Sequence, residues 1–92
     1  MAVSVSLEFP ASAADYDKVH AKAVGDNPPD GLLVHTARED GGVMRIFDVW
    51  ESADAFGAFV EQRIGPALGE VLGGDATPPE PEIHELHNLT RV

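Results

Sequence analysis

The chain has 92 residues, six Lys and Arg against sixteen Asp and Glu, a formal net charge of −10 and no cysteine. The charge repels a phosphate backbone and sets nucleic acid and anionic membranes aside as partners. The missing thiols remove disulfides, thiolate catalysis, Cys-zinc sites and iron–sulfur clusters. The opening MAVSVSLEFP has no basic n-region, and no apolar run is long enough to span a bilayer, so one cytoplasmic domain over 1–92 is expected, with no metal needed to hold its core.

Val3, Val5, Leu7 and Phe9 alternate with Ser4, Ser6 and Glu8, a period of two that predicts a half-buried strand ended by Pro10. Ser12 with Asp15 three positions on has the form of a capping box. Tyr16, Val19, His20, Ala23 and Val24 then fall at helical spacing until Gly25. A short loop with two prolines leads into GLLVHTAREDGGVMRIFDVW, residues 31–50. Asp40-Gly41 between apolar runs predicts a two-residue hairpin turn, because both central positions of a type I′ turn need positive φ.

That turn would set Glu39 opposite Gly42, Ala37 opposite Met44, His35 opposite Ile46 and Leu33 opposite Asp48. Side chains alternate across a strand. One face then carries Leu32, Val34, Thr36, Arg38, Val43, Arg45, Phe47 and Val49, and reads as the side covered by helices. The other carries Leu33, His35, Ala37, Met44, Ile46, Asp48 and Trp50, and is the side on which chemistry is expected.

Ser52 is a good N-cap, with Asp54 in the positive first turn of the next helix. Phe56, Phe59, Val60, Ile64, Ala67 and Val71 keep to one stripe, but Gly65-Pro66 predicts a break, with a main helix to Ile64 and a shorter one carrying Pro66 in its first turn. Gly73 to Pro81 reads as a linker. Ile83 to Val92 reads as a last strand, in which a bulge would reconcile Ile83 with Leu86 and Leu89.

Strand, helix, strand, strand, helix, strand is the order of the ferredoxin-like α+β fold, βαββαβ, with a four-stranded antiparallel sheet and both helices on one face. The uncovered face would then bear Leu33, Met44, Ile46 and Trp50. So apolar a surface calls for a homodimer paired sheet to sheet.

On that face His35 lies diagonal to Asp48, close enough for a carboxylate to orient an imidazole as a general base. Trp50 offers a flat wall to an aromatic ligand, beside Leu33, Met44 and Ile46. Tyr16 and His20, one turn apart, reach a cleft mouth or pack its rim, and Arg63 either snorkels past the core or anchors a substrate carboxylate. Ser4 and Ser6 can be written into a Ser-His-Asp set, but with no nucleophile elbow. His84 and His87, three apart on a strand, point to opposite faces, so no shared metal is expected of them unless a bulge intervenes.

The hairpin GLLVHTAREDGGVMRIFDVWES followed by AFGAFVEQRIGPAL resembles the antibiotic biosynthesis monooxygenase-like proteins of the dimeric α+β barrel superfamily. The resemblance spans nearly the whole chain. It implies a homodimer that takes a small organic molecule in the barrel interior or in the cleft between sheet and helices. Some members oxidise phenolic polyketides with oxygen and no bound cofactor; relatives cyclise, isomerise or degrade haem. The expected function is therefore small-molecule binding with cofactor-free oxygenation of an aromatic or polyketide-like substrate, the alternative being a binding or structural homodimer.

Overall fold

The computed structural model describes residues 1–9, 12–73 and 80–90. Strand β1 (Val3–Phe9) is followed by helix α1 (Ala13–Ala23), β2 (Leu32–Asp40), β3 (Val43–Trp50) and α2 (Ala53–Phe59). A π-helical turn (Val60–Ile64), α3 (Gly65–Leu72) and β4 (Glu82–Glu85) complete the order. The four strands form one sheet in the order β2-β3-β1-β4, every pair antiparallel. This is the ferredoxin-like arrangement.

Local chemistry sets the helix ends. Ser12 Oγ accepts the Asp15 amide at the start of α1, and Ser52 Oγ accepts the Ala55 amide at the start of α2, each removing one unpaired amide of a first turn. At Gly65-Pro66 the chain does not break. Gly65 stays helical and its amide reaches back five residues to the Val60 carbonyl. The wider π turn accommodates a proline whose ring and missing N–H are incompatible with a regular α-helical turn, so the helical path continues into α3.

The hairpin turn is Gly41-Gly42 rather than Asp40-Gly41. Both glycines have positive φ, +60° and +91°, while Asp40 pairs with Val43, Ala37 with Ile46 and His35 with Asp48. The register moves by two residues, an even step, so each side chain keeps its expected face while gaining a new partner. Leu33 is the exception. Pairing passes from Leu32–Trp50 to Val34–Val49, leaving Leu33 as a bulge and putting Leu32 on the Trp50 side.

The faces take the opposite roles to those expected from the hairpin alone. Val3, Val5, Leu7 and Phe9 lie opposite Trp50, Asp48, Ile46 and Met44, so the apolar side of β1 extends the Met44, Ile46 and Trp50 side of β3. The helices cover this combined surface: Met44 and Ile46 pack with Phe9, Val19, Ala23 and Leu68, and Trp50 with Val3, Val5 and Phe56. The other face, with Val34 and Phe47 nearly half exposed, is the open one. Ser4 and Ser6 pair with Val49 and Phe47, on the side away from His35, so no Ser-His-Asp set forms.

Strand β4 is shorter than the sequence pattern suggests. Glu85 pairs with Val3 and the Leu86 amide bonds Ala2 O, and the regular pairing ends there among the described residues. The end of the proposed strand, residues 91–92, and residues 74–79 of the linker lie outside the described residues.

Two glycines separate conformational from steric cost. At Gly42 a Cβ would meet nothing within 4 Å, whereas at Gly31 (φ +87°) it would sit 2.7 Å from Ala55 Cβ. Gly42→Ala should lose on the order of 1–2 kcal/mol, the cost of a side chain at positive φ. Gly31→Ala should lose more, because α2 must also shift, and the two urea unfolding midpoints will order accordingly.

Candidate functional site

Asp48 is the third-last residue of β3 and its carboxylate is buried against the helices. As an acceptor it takes two bonds, one from His35 Nδ1 at 2.6 Å across the ladder and one from Trp50 Nε1 at 3.2 Å two residues along its own strand. A carboxylate that accepts from Nδ1–H leaves Nε2 of a neutral imidazole as an acceptor. That nitrogen is 2.6 Å from Tyr16 Oη, so the tyrosine hydroxyl donates to it. The result is a continuous chain, Tyr16 to His35 to Asp48, with Trp50 closing the far oxygen. Among the described residues no buried side-chain polar atom lacks a partner.

Helix α1 supplies the second layer. Tyr16 meets Phe9 edge to face, ring centroids 6.2 Å apart, and His20 stacks on His35 at 5.4 Å. Burial raises the Tyr16 pKa to about 12, with the charges of Asp48 and Asp17 adding to it, so its hydroxyl stays protonated. Burial, and then the neighbouring His35, lower the pKa of His20 against the opposing pull of Asp17. Trp50 is fully buried and packs on Phe56 and Phe59, centroids 5.5 and 5.3 Å away.

Between this row and the helices lies a cavity of about 560 Å³, within the range of small-molecule sites. Its wall is largely aliphatic and aromatic, with His35, Asp48, Trp50, Ile46, Tyr16 and His20 all contributing. The space lies within one subunit, between sheet and helices, and is not filled solid.

The remaining candidates are placed elsewhere. Met44 belongs to the core without lining the cavity, and Leu33 gives up its place to Leu32 through the bulge. Arg63 does not line this cavity: its guanidinium donates to the carbonyls of Ala23 and Asn27 at 3.2 and 2.6 Å, tying the π turn to the end of α1 and the loop after it. His84 bonds Glu82 on its own strand at 3.1 Å, and His87 lies beyond β4. No group of three or more His, Asp or Glu side chains suited to a metal occurs among the described residues.

Sequence reasoning missed the Tyr16–His35 bond, the His20–His35 stack, and Glu61 and Glu80 at the cavity wall. The available signal was the one-turn spacing of Tyr16 and His20, which puts both on the face α1 turns toward β2.

Neither a protein-family model nor a curated protein sequence matches the chain. Solved structures do. Rv0793 from Mycobacterium tuberculosis superposes with a TM-score of 0.69 at 15% identity, over 99% of this chain and 100% of that one. SnoaB from Streptomyces nogalater, a cofactor-independent oxygenase, gives 0.67 at 17% identity over 96% and 95%. A protein from Caulobacter crescentus, provisionally assigned as an antibiotic biosynthesis monooxygenase, gives 0.68 at 22% over 95% and 91%. The chain shares the fold of these proteins. At these identities the likeness concerns architecture, and the site must be argued from its own side chains. No helix of the described residues is long and apolar enough to cross a membrane.

His20 provides a pH test. Its folded pKa lies below the ordinary 6.5, so the unfolded chain takes up the proton first. The stability it contributes is present above the unfolded value and is lost as pH falls through the folded one. His20→Gln should therefore show a shallower fall in Tm than the wild type between about pH 7 and 5, measured by calorimetry.

Proposed function

We propose that the protein is a cofactor-independent oxygenase acting on a small hydroxylated aromatic molecule, of anthrone type, held in the cavity between sheet and helices. The observation that carries this reading is an imidazole oriented by a buried carboxylate at the wall of an otherwise apolar cavity. Such an imidazole can take an acidic phenolic or enolic proton, and excluding water keeps the resulting anion electron-rich.

Tyr16 already occupies His35 Nε2, which defines the route of the proton. The enolic O–H of the substrate, in the tautomer that leaves a single hydrogen on the former methylene carbon, meets Tyr16 Oη as the tyrosine proton moves to Nε2, leaving a substrate anion hydrogen-bonded to a restored hydroxyl. His35 then carries the proton against Asp48. The anion gives one electron to oxygen, and the two radicals join to form a C–O bond at the methylene carbon. His35 returns its proton to the outer oxygen. Loss of the remaining C–H proton breaks the O–O bond, so that the methylene becomes a ketone and the second oxygen atom leaves as water.

Oxygen uptake with a hydroxylated anthrone tests the assignment. His35→Ala should lower kcat by roughly 100-fold or more, the usual contribution of a positioned base, and Tyr16→Phe should also lower it while leaving the fold intact by circular dichroism. Binding without oxygen uptake by the wild type would turn the reading to the alternative, a ligand-binding protein.

We further propose that the chain forms a homodimer through its open sheet face, where Val34 and Phe47 are 44% and 46% exposed. The apolar set first expected to drive pairing is covered within the subunit, and this pair takes its place. Phe47→Lys should convert a dimer to a monomer by light scattering at unchanged helical content.

A further inference from the structure

The charge lining of the cavity carries information about its ligand that the proton-transfer chain does not. Among the described residues its ionisable wall groups are Tyr16, His20, His35, Asp48, Glu61 and Glu80, with no lysine or arginine. The chain has only six such cations, Lys18, Lys22, Arg38, Arg45, Arg63 and Arg91, and four of the described ones are committed elsewhere. Lys22 pairs with Glu70, and Arg63 with the carbonyls of Ala23 and Asn27. Arg45 pairs with Asp40 and Glu8, and Arg38 lies near Asp40, both on the open side of the sheet. Lys18 is exposed on α1 and does not line the cavity; Arg91 lies outside the described residues.

An anionic group brought into this space would lose its water without meeting a cation among the described residues, and would lie near the buried Asp48 and the more exposed carboxylates of Glu61 and Glu80. Burying an unpaired charge is among the costliest steps in recognition. The protein's net charge of −10 adds to the repulsion during approach. The protonated His35 of the proposed cycle does not reverse this, because Asp48 neutralises it at 2.6 Å.

We propose that the site selects a neutral polycyclic phenol and rejects its carboxylated or phosphorylated counterparts, so that discrimination rests on missing cations as much as on apolar fit. The inference rests on the cavity being the ligand site of the proposed function, but not on oxygen chemistry. It names the substrate class: an uncharged hydroxylated aromatic whose ionisable proton is the one handed to Tyr16.

The protein carries its own probe, since Trp50 is its single tryptophan and lines the cavity. Quenching of its fluorescence, checked by calorimetry, should be titrated at low salt with 1,8-dihydroxyanthraquinone and with 4,5-dihydroxyanthraquinone-2-carboxylate. The expected result is about tenfold or more tighter binding of the neutral compound, the scale of one or two close charge repulsions in partly screened surroundings. Raising the salt should narrow the gap, and Glu61→Lys should narrow it further by strengthening the carboxylated ligand. Equal or tighter binding of the carboxylate by the wild type overturns the charge rule and leaves the oxygenase reading standing. Absence of quenching and of heat with both compounds overturns the cavity as ligand site, and both readings fall together.

Discussion

The site depends on how a buried carboxylate is satisfied. Asp48 sits where β3 runs beneath the helices, and an uncompensated charge there would cost several kcal/mol. The His35 and Trp50 N–H groups meet its two oxygens. Each bond also fixes a large ring, one against Tyr16 and His20, the other against Phe56 and Phe59. One acid thereby orients both halves of the cavity wall, and the requirement that keeps Asp48 stable in the core is the same one that selects the His35 tautomer.

The π turn bears on the same cavity from the other side. Residues before it (Phe56, Phe59), within it (Val60, Glu61, Ile64) and across from it on α1 (Val19, Ala23) all reach the space. A straight α-helix would have to end before Pro66. The five-residue turn lets it continue, with Arg63 holding the chain to the Ala23 carbonyl, which the end of α1 leaves without an intrahelical donor, and to the Asn27 carbonyl in the loop beyond. The side chain that looked available for a ligand is spent on the frame.

Most of the fold was legible because its signals are local. The alternation from Val3 to Phe9, the caps at Ser12 and Ser52 and the glycine turn each act within a few residues, and even the misplaced turn preserved side-chain parity, since its error was two. The bulge at Leu33 was the one odd step, and nothing in Leu32-Leu33-Val34 distinguishes which residue will lie unpaired. Which face the helices cover could not be read from the hairpin. It is decided by pairing Val3 to Phe9 with Trp50 to Met44, a contact between segments some forty residues apart. His35, Asp48 and Trp50 were found because they share one strand pair. The Tyr16–His35 bond joins a helix to a strand, and no periodicity within either element encodes the angle at which they cross.

The two perturbed groups of α1 constrain what the chain of rings can do. Tyr16 holds its proton far beyond neutrality and His20 resists gaining one, both chiefly because they are buried. Near neutral pH the wall therefore presents Tyr16 as a donor and His20 as an uncharged plate stacked on His35. In the proposed reaction a proton entering through Tyr16 has one destination, because a second imidazolium 5.4 Å from the first would add like-charge repulsion in a space that screens it poorly. The proton that reaches His35 instead forms an ion pair with a carboxylate already in place, so charge is separated without any side chain having to move. That preorganisation, rather than the basicity of an isolated histidine, is what would make a neutral phenol give up its proton inside an apolar cavity.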